Sequence, residues 1–320
     1  LCLPADFGRH FLVLVDTEEE FDWSHPFRRD SVSTRAIDAL PVAHARLNGF
    51  GVTPTYLADF PIVADERSAA VLRALSQEKT AVIGAQLHPW VNPPFDETLS
   101  RANSFAGNLP AKIEQAKLRA LTAKIETMIG TRPVVYRAGR YGAGANTARL
   151  LMAEGYRLDV SVRSLFEYRD EGGPDFSAFP VAPWWVDQEK RLLELPLSAA
   201  YVGRCAGAGG WLYPASARLP LLRGLLARTN ILQRVALTPE GMPLPDALLA
   251  IRTMLDAGVA LFSLSFHSPS IVPGHTPYVR DEADLRAFWS WWDGVLDCFA
   301  RAGVTPMSSL ELIAVSEKLR

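Results

Sequence analysis

What most constrains this chain is a set of short apolar runs, each closing on a polar residue. Phe11–Val15 precedes Asp16, and the run through Ile83 is soon followed by His88. Pro133–Tyr136 precedes Arg137, and the run from Val259 through Phe266 precedes His267. Apolar runs this short read as strands buried on both faces, as in a parallel sheet covered by helices. Amphipathic stretches between them predict helices at about 32–48, 66–76, 108–129, 145–154, 215–228, 245–257, 281–301 and 309–319. In the helix over 108–129, Asn108 is placed to cap, Pro110 fits the first turn and Gly130 stops it. Leu118, Leu121, Ile125 and Met128 form its buried stripe. The alternation implies an α/β fold, a barrel of mostly parallel strands, with residues 1–320 in a single domain. The Gly- and Pro-rich segments 169–183 and 200–214 are expected to be loops on it.

Hydrophobic residues make up 48% of the chain and charged residues 21%, enough for a large core and incompatible with global disorder. A net charge of −2, with no like-charge run longer than Glu18-Glu19-Glu20, argues against a nucleic-acid partner or an anionic membrane surface. Cys2, Cys205 and Cys298 fit neither a disulfide framework nor a metal-binding pair, so free thiols in a reducing compartment are expected. No apolar stretch approaches the ~18 residues of a transmembrane helix. Leu1-Cys2-Leu3-Pro4 lacks the features of a signal peptide, so a cytoplasmic location is expected, and the missing initiator Met leaves open whether a segment was removed ahead of residue 1.

In a parallel barrel the carboxyl ends of the strands share one face, and that face carries chemistry. Asp16, His88, Arg137 and His267 all fall there by the strand assignment. Asp16 and Glu18, two residues apart, can point into one mouth, one carboxylate toward a metal and the other free as a base. Glu19 is expected to face solvent. His88 offers an imidazole for a metal, Arg137 a charge partner for Asp16, and His267 a proton for a leaving group. Trp23, Trp90, Trp184, Trp185 and Trp211 fall in predicted loops, where aromatic faces can stack on sugar rings. Trp90, Tyr141 and Trp211 are the candidate substrate contacts, whereas Trp289, Trp291 and Trp292 sit on a helix and are expected to pack or to form a subunit contact.

At these positions the chain resembles the polysaccharide deacetylases, the NodB-homology or carbohydrate esterase 4 family. Val15-Asp16-Thr17-Glu18 resembles the first motif of that family, and Tyr136-Arg137-Ala138-Gly139 the third. Gly155-Tyr156-Arg157-Leu158-Asp159 resembles its GY-x-x-D element, and Leu264-Ser265-Phe266-His267 its last motif. The matches span residues 11 to 268 in family order. The resemblance implies a distorted (β/α)7-type barrel that removes N-acetyl groups from the amino sugars of a polysaccharide. It makes Asp16 the general base, Glu18 a ligand of a divalent metal such as zinc, and Arg137 the residue that tunes Asp16. His267 becomes the general acid and Asp159 the residue that orients it. The second motif departs from the pattern: His88-Pro89-Trp90-Val91-Asn92 ends in Asn where the family has a second histidine, and Gln86 stands two before His88. With Asn92 as third ligand the metal would be weakly held. His25 or His275 could replace it, or the site could work without metal. Two other functions stay open: a metal-free or weakly metallated hydrolase of a small C–N substrate, and a catalytically degenerate carbohydrate-binding relative.

Overall fold

The computed structural model describes residues 3–4, 6–21, 25–216 and 220–320, so Cys2 and Trp23 lie outside the described residues. Its strands are β1 (Arg9–Thr17), β2 (Thr55–Ala58), β3 (Val82–Leu87), β4 (Val135–Ala138), β5 (Leu158–Asp159) and β6 (Trp184–Trp185). They continue with β7 (Leu193–Glu194), β8 (Ala199–Val202), β9 (Gln233–Ala236), β10 (Leu261–His267) and β11 (Val304–Pro306). The main sheet runs β10-β1-β2-β3-β4-β5-β7-β6, with β11 beside the start of β1. Every pairing in it is parallel except β6 with β7. The antiparallel pair β8–β9 leans on β10, where Ser265 N–H donates to Leu237 O at 3.2 Å and Ser198 N–H to Ser263 O at 3.3 Å. The sheet therefore curls into a distorted (β/α) barrel, as expected.

The helices are α1 (Leu40–Asn48), α2 (Phe60–Ala64), α3 (Glu66–Gln77), α4 (Ala111–Ile129) and α5 (Thr147–Ala153). They are followed by α6 (Gly209–Ala215), α7 (Pro220–Arg228), α8 (Leu244–Asp256), α9 (Glu282–Arg301) and α10 (Ser309–Glu317). Along β1 every residue from Phe11 to Thr17 is buried, which an unbroken apolar run requires when one side faces the barrel interior and the other the helices. Leu12 and Leu14 pack with Leu57, Val135 and Leu158. Val13 and Val15 join the larger core with Leu118, Leu121 and Ile125 of α4 and with Trp291 and Trp292 of α9.

Gly130 ends α4 in a left-handed conformation, φ 85°, as its position predicts. Asn108 does not cap that helix. Pro110 occupies the cap position, and the Asn108 amide instead donates to Ala102 O and Gly172 O. Segment 200–214, expected as a loop, contributes most of β8 and of α6, and Gly209 at the start of α6 lies so close to Tyr201 that a Cβ there would stand 2.3 Å from its ring. Cys205 and Cys298 are free thiols. Among the described residues no helix is long and apolar enough to cross a membrane.

Candidate active site

The carboxyl ends of β1, β3, β4 and β10 open on a cavity of about 800 Å³ lined by Asp16, Glu18, Gln86, His88, Arg137 and His267, among others. Register explains the meeting. Asp16 pairs with His267 across β1 and β10, and Gln86 with Arg137 across β3 and β4, so the polar residues closing these strands lie level with one another.

Asp16 is held between two cations. Arg137 Nη1 donates to Asp16 Oδ1 at 2.6 Å and to Ser265 Oγ at 2.6 Å, while its Nε donates to Val160 O. Oδ2 of Asp16 faces His267 Nε2 at 3.6 Å. The other ring nitrogen of His267 lies 2.6 Å from Glu240 Oε2, and Glu240 also accepts from Ser270 Oγ and from the His267 backbone N–H. Burial opposes charge on this ring, but Glu240, with Glu18 and Asp16, outweighs it and raises the imidazole pKa to about 10. His267 is thus a cation at neutral pH with one nitrogen directed at Asp16.

His88 is the opposite case. Burial drives its pKa down to about 4 despite the nearby Asp59 and Asp16, so the ring is neutral and one nitrogen keeps a lone pair. Nδ1 lies 2.8 Å from Glu19 Oε2, and Nε2 lies 3.5 Å from Glu18 Oε2. The indole of Trp90 stacks on the ring at 4.3 Å and donates to Glu19 Oε1. Gly139 passes so close that a Cβ there would stand 2.2 Å from His88 Cδ2.

Glu19, Asp59 and His88 offer ligand atoms within 4.8 Å of one another, a group of the kind that could hold a metal ion. Each carboxylate oxygen of that trio already has a donor, however. Glu19 accepts from Trp90 and His88, while Asp59 accepts from Ile62 N–H and Glu19 N–H. Burial pushes Glu19 to about 8 and Asp59 well above its usual range, so near neutrality the pair retains a proton. A carboxylate on one nitrogen of a histidine that leaves the other facing a cavity is the usual outer support of a ligating histidine. On the cavity side stand Glu18, His88 Nε2 and Gln86, whose amide nitrogen donates to Glu18 at 3.3 Å and whose Oε1 is buried with no hydrogen-bond partner.

Several expectations need correction. Asn92 is packed against α4 and does not line the cavity: its Nδ2 donates to Pro93 O and Lys117 O. Asp159 does not orient His267. It accepts from Ser161 N–H and Ser161 Oγ, is pushed up to about 6 by burial, and stands beside Glu194 behind Arg137. Glu19 is buried, not solvated. Trp90 is buried and braces His88, leaving no face for substrate, and Trp211 is 69% exposed on α6, away from the cavity. Trp184 and Trp185 form β6 and also lie outside the cavity wall. His25 and Tyr141 do line it, whereas His275 lies 3.4 Å from Glu20. The aromatic lining comes from Phe21, Phe27, Tyr141, Tyr168 and Tyr278.

Asp59 and Glu240 escaped the sequence reading although both follow strands, β2 and β9. Those strands have four residues each, and β9 begins Gln233-Arg234, so neither shows as an apolar run. A strand-end carboxylate after Thr55–Ala58 was the available signal for Asp59.

No family model matches the sequence, and no curated protein matches it. Solved structures do. A protein from Mycobacterium smegmatis described as a polysaccharide deacetylase is 16% identical, with a TM-score of 0.51 over 96% of this chain and 95% of that one. Puue allantoinase is 14% identical, with a TM-score of 0.52 over 98% and 92%. A second protein described as a polysaccharide deacetylase, from Pseudomonas aeruginosa PAO1, is 14% identical, with a TM-score of 0.50 over 97% and 90%. At such identities the likeness is one of backbone, and the backbone of this chain has the NodB-like fold of the polysaccharide deacetylases.

Proposed function

We propose that the protein is a hydrolase of C–N bonds that removes N-acetyl groups from amino sugars of a glycan. The observation that carries this reading is the pair Asp16 and His267, 3.6 Å apart in the cavity, each fixed from behind by a group of opposite charge. Asp16 Oδ2, free of Arg137, takes the proton from an attacking water. His267, kept charged by Glu240, donates its Nε2 proton to the departing amine. Arg137, itself hydrogen-bonded to Ser265, fixes the carboxylate through Oδ1, so the base does not have to reorient between steps.

The donor set fits a divalent ion: a carboxylate on Glu18, a neutral nitrogen on His88, and the unpartnered amide oxygen of Gln86. These residues would hold it, and a metal there supplies Lewis-acid polarisation of the acyl carbonyl. Acetate release from N-acetylated glycan oligomers, measured with and without added zinc, tests the reading. A second reading, a metal-free hydrolase of a small C–N substrate, is favoured by one observation, Gln86 on the cavity wall, since an amide oxygen is a weak donor to zinc. Turnover of small amides only, insensitive to chelator, would select it.

A further inference from the structure

Beyond the acid–base pair, the cavity wall carries three more arginines, Arg101, Arg140 and Arg163. Two of them share one counterion. Arg140 is paired with Glu171, and Arg101, 68% exposed, lies 3.4 Å from the same carboxylate. Arg163 is different. Among the described residues no carboxylate comes within 4.0 Å of its guanidinium. Its neighbours are aromatic: the Phe166 ring at 4.0 Å, the Tyr141 ring at 5.5 Å, and Tyr168 Oη at 3.5 Å from Nη1. Its Nε is buried with no hydrogen-bond partner.

A guanidinium carries five N–H donors in a planar fork, and donors shielded from water without acceptors are destabilising. Here the fork borders a cavity, so a bound anion can provide the acceptors that the protein omits. We propose that Arg163, with the phenols of Tyr141, Tyr168 and Tyr278 around it, forms a carboxylate-binding subsite, and that the substrate carries a carboxylate besides its acyl group. A singly charged group suits the place. The same cavity exposes Asp16, Glu18, Glu171 and Glu240, which would repel the second charge of a phosphate. That the bound molecule is also hydrolysed rests on the function proposed above. The subsite itself rests on Arg163 alone.

The test separates the two. Calorimetric titration with glucuronate, which has no acyl group, is compared with glucose, its neutral counterpart. The wild-type protein should bind glucuronate at least roughly tenfold more tightly, as for a charge-assisted hydrogen-bonded pair. Arg163→Met should lose that preference at unchanged melting temperature, and Arg163→Lys should keep only part of it, since a point charge lacks the fork. Tyr168→Phe, which leaves the charge in place, gives a smaller loss and remains informative if Arg163→Met does not fold. Equal binding of the two sugars by wild type, or a preference that survives in Arg163→Met, overturns the subsite. Glucuronate binding that depends on Arg163, without acetate release from any N-acetylated glycan, uronic or neutral, upholds the subsite and overturns the deacetylase reading.

Discussion

Glu240 grips His267 at two points, with Oε2 2.6 Å from the ring Nδ1 and Oε1 3.0 Å from the backbone N–H. The double contact fixes the ring plane and places the proton of Nδ1 on the Glu240 side, so the other nitrogen is the one presented to Asp16. Glu240 is a positioning residue acting through His267. Glu240→Gln should lower the His267 pKa from about 10 by roughly 1–3 units, moving the alkaline limb of the pH–rate profile to lower pH. Nitrogen-detected titration of the ring reads the same shift directly. An unmoved alkaline limb would detach His267 from the chemistry.

The same pair makes stability depend on pH. His267 is raised above its unfolded value of 6.5, so its contribution is fully present below that pH and is lost as pH rises through about 10. Glu240 is depressed, because the charge and donors of His267 outweigh its burial, so its contribution disappears as pH falls through its lowered value. Denaturant melts should therefore show wild type losing stability between pH 6.5 and 10, and Glu240→Gln losing less over that window.

Asp16→Asn should reduce turnover by at least ~10²-fold, the usual contribution of a positioned base. It also leaves Arg137, fully buried, facing a neutral amide. Removing one partner of a buried ion pair typically destabilises by about 3–5 kcal/mol, and a retained acceptor should keep the loss below that range. Acetate release and a thermal melt on the same preparation check both parts. A variant with near wild-type turnover would remove Asp16 from the mechanism.

Gly139→Ala probes how His88 is placed. The added methyl would meet His88 Cδ2 at 2.2 Å and Leu87 O at 2.7 Å, so the ring has to move off its stack with Trp90. A displacement of about 1 Å in such a site commonly costs ~10²-fold in rate. The expected outcome is a folded protein with weakened metal binding and low turnover. Wild-type metal affinity in this variant would show that His88 is not a ligand.

Two substitutions to histidine should behave oppositely. Gln86→His puts an imidazole on the cavity wall, where the Gln86 amide nitrogen now donates to Glu18, and should raise zinc affinity roughly tenfold or more. Asn92→His cannot do so, because that side chain is committed to Pro93 O and Lys117 O, and it should destabilise by about 1–3 kcal/mol through the lost buried bonds. Chelator competition on both variants decides the matter.

The contrast between Gln86 and Asn92 shows where the sequence could be read and where it could not. The barrel was legible because Phe11–Val15 is an unbroken apolar run and Leu261–Phe266 is interrupted only by Ser263 and Ser265, and Asp16, Arg137 and His267 because each follows such a segment. Spacing alone pointed to Asn92. The chain turns after His88, however, and carries the fourth residue on toward α4, whereas Gln86, two before it on the same strand face, points into the cavity. Glu19 looked like one acid of a solvated run, and only the fold brings His88, Trp90 and Asp59 around it. Asp159 ends a strand like the others, but β5 is two residues long and its carboxylate is drawn to the neighbouring Ser161.

Lys117 of α4 is wholly buried and donates from Nζ to Pro89 O, Asn92 O and Pro94 O at 2.9, 2.6 and 2.6 Å, with Glu97 Oε2 at 3.0 Å. Three carbonyls and a carboxylate around one positive charge form the kind of oxygen cage that elsewhere encloses a calcium ion. Here the cation is covalently part of the chain. The segment that leaves His88 and Trp90 is thereby fastened to α4 by a charge that cannot be chelated or exchanged. Stripping the protein of metal should leave that anchor intact, so the histidine would await its ion on a backbone already in place.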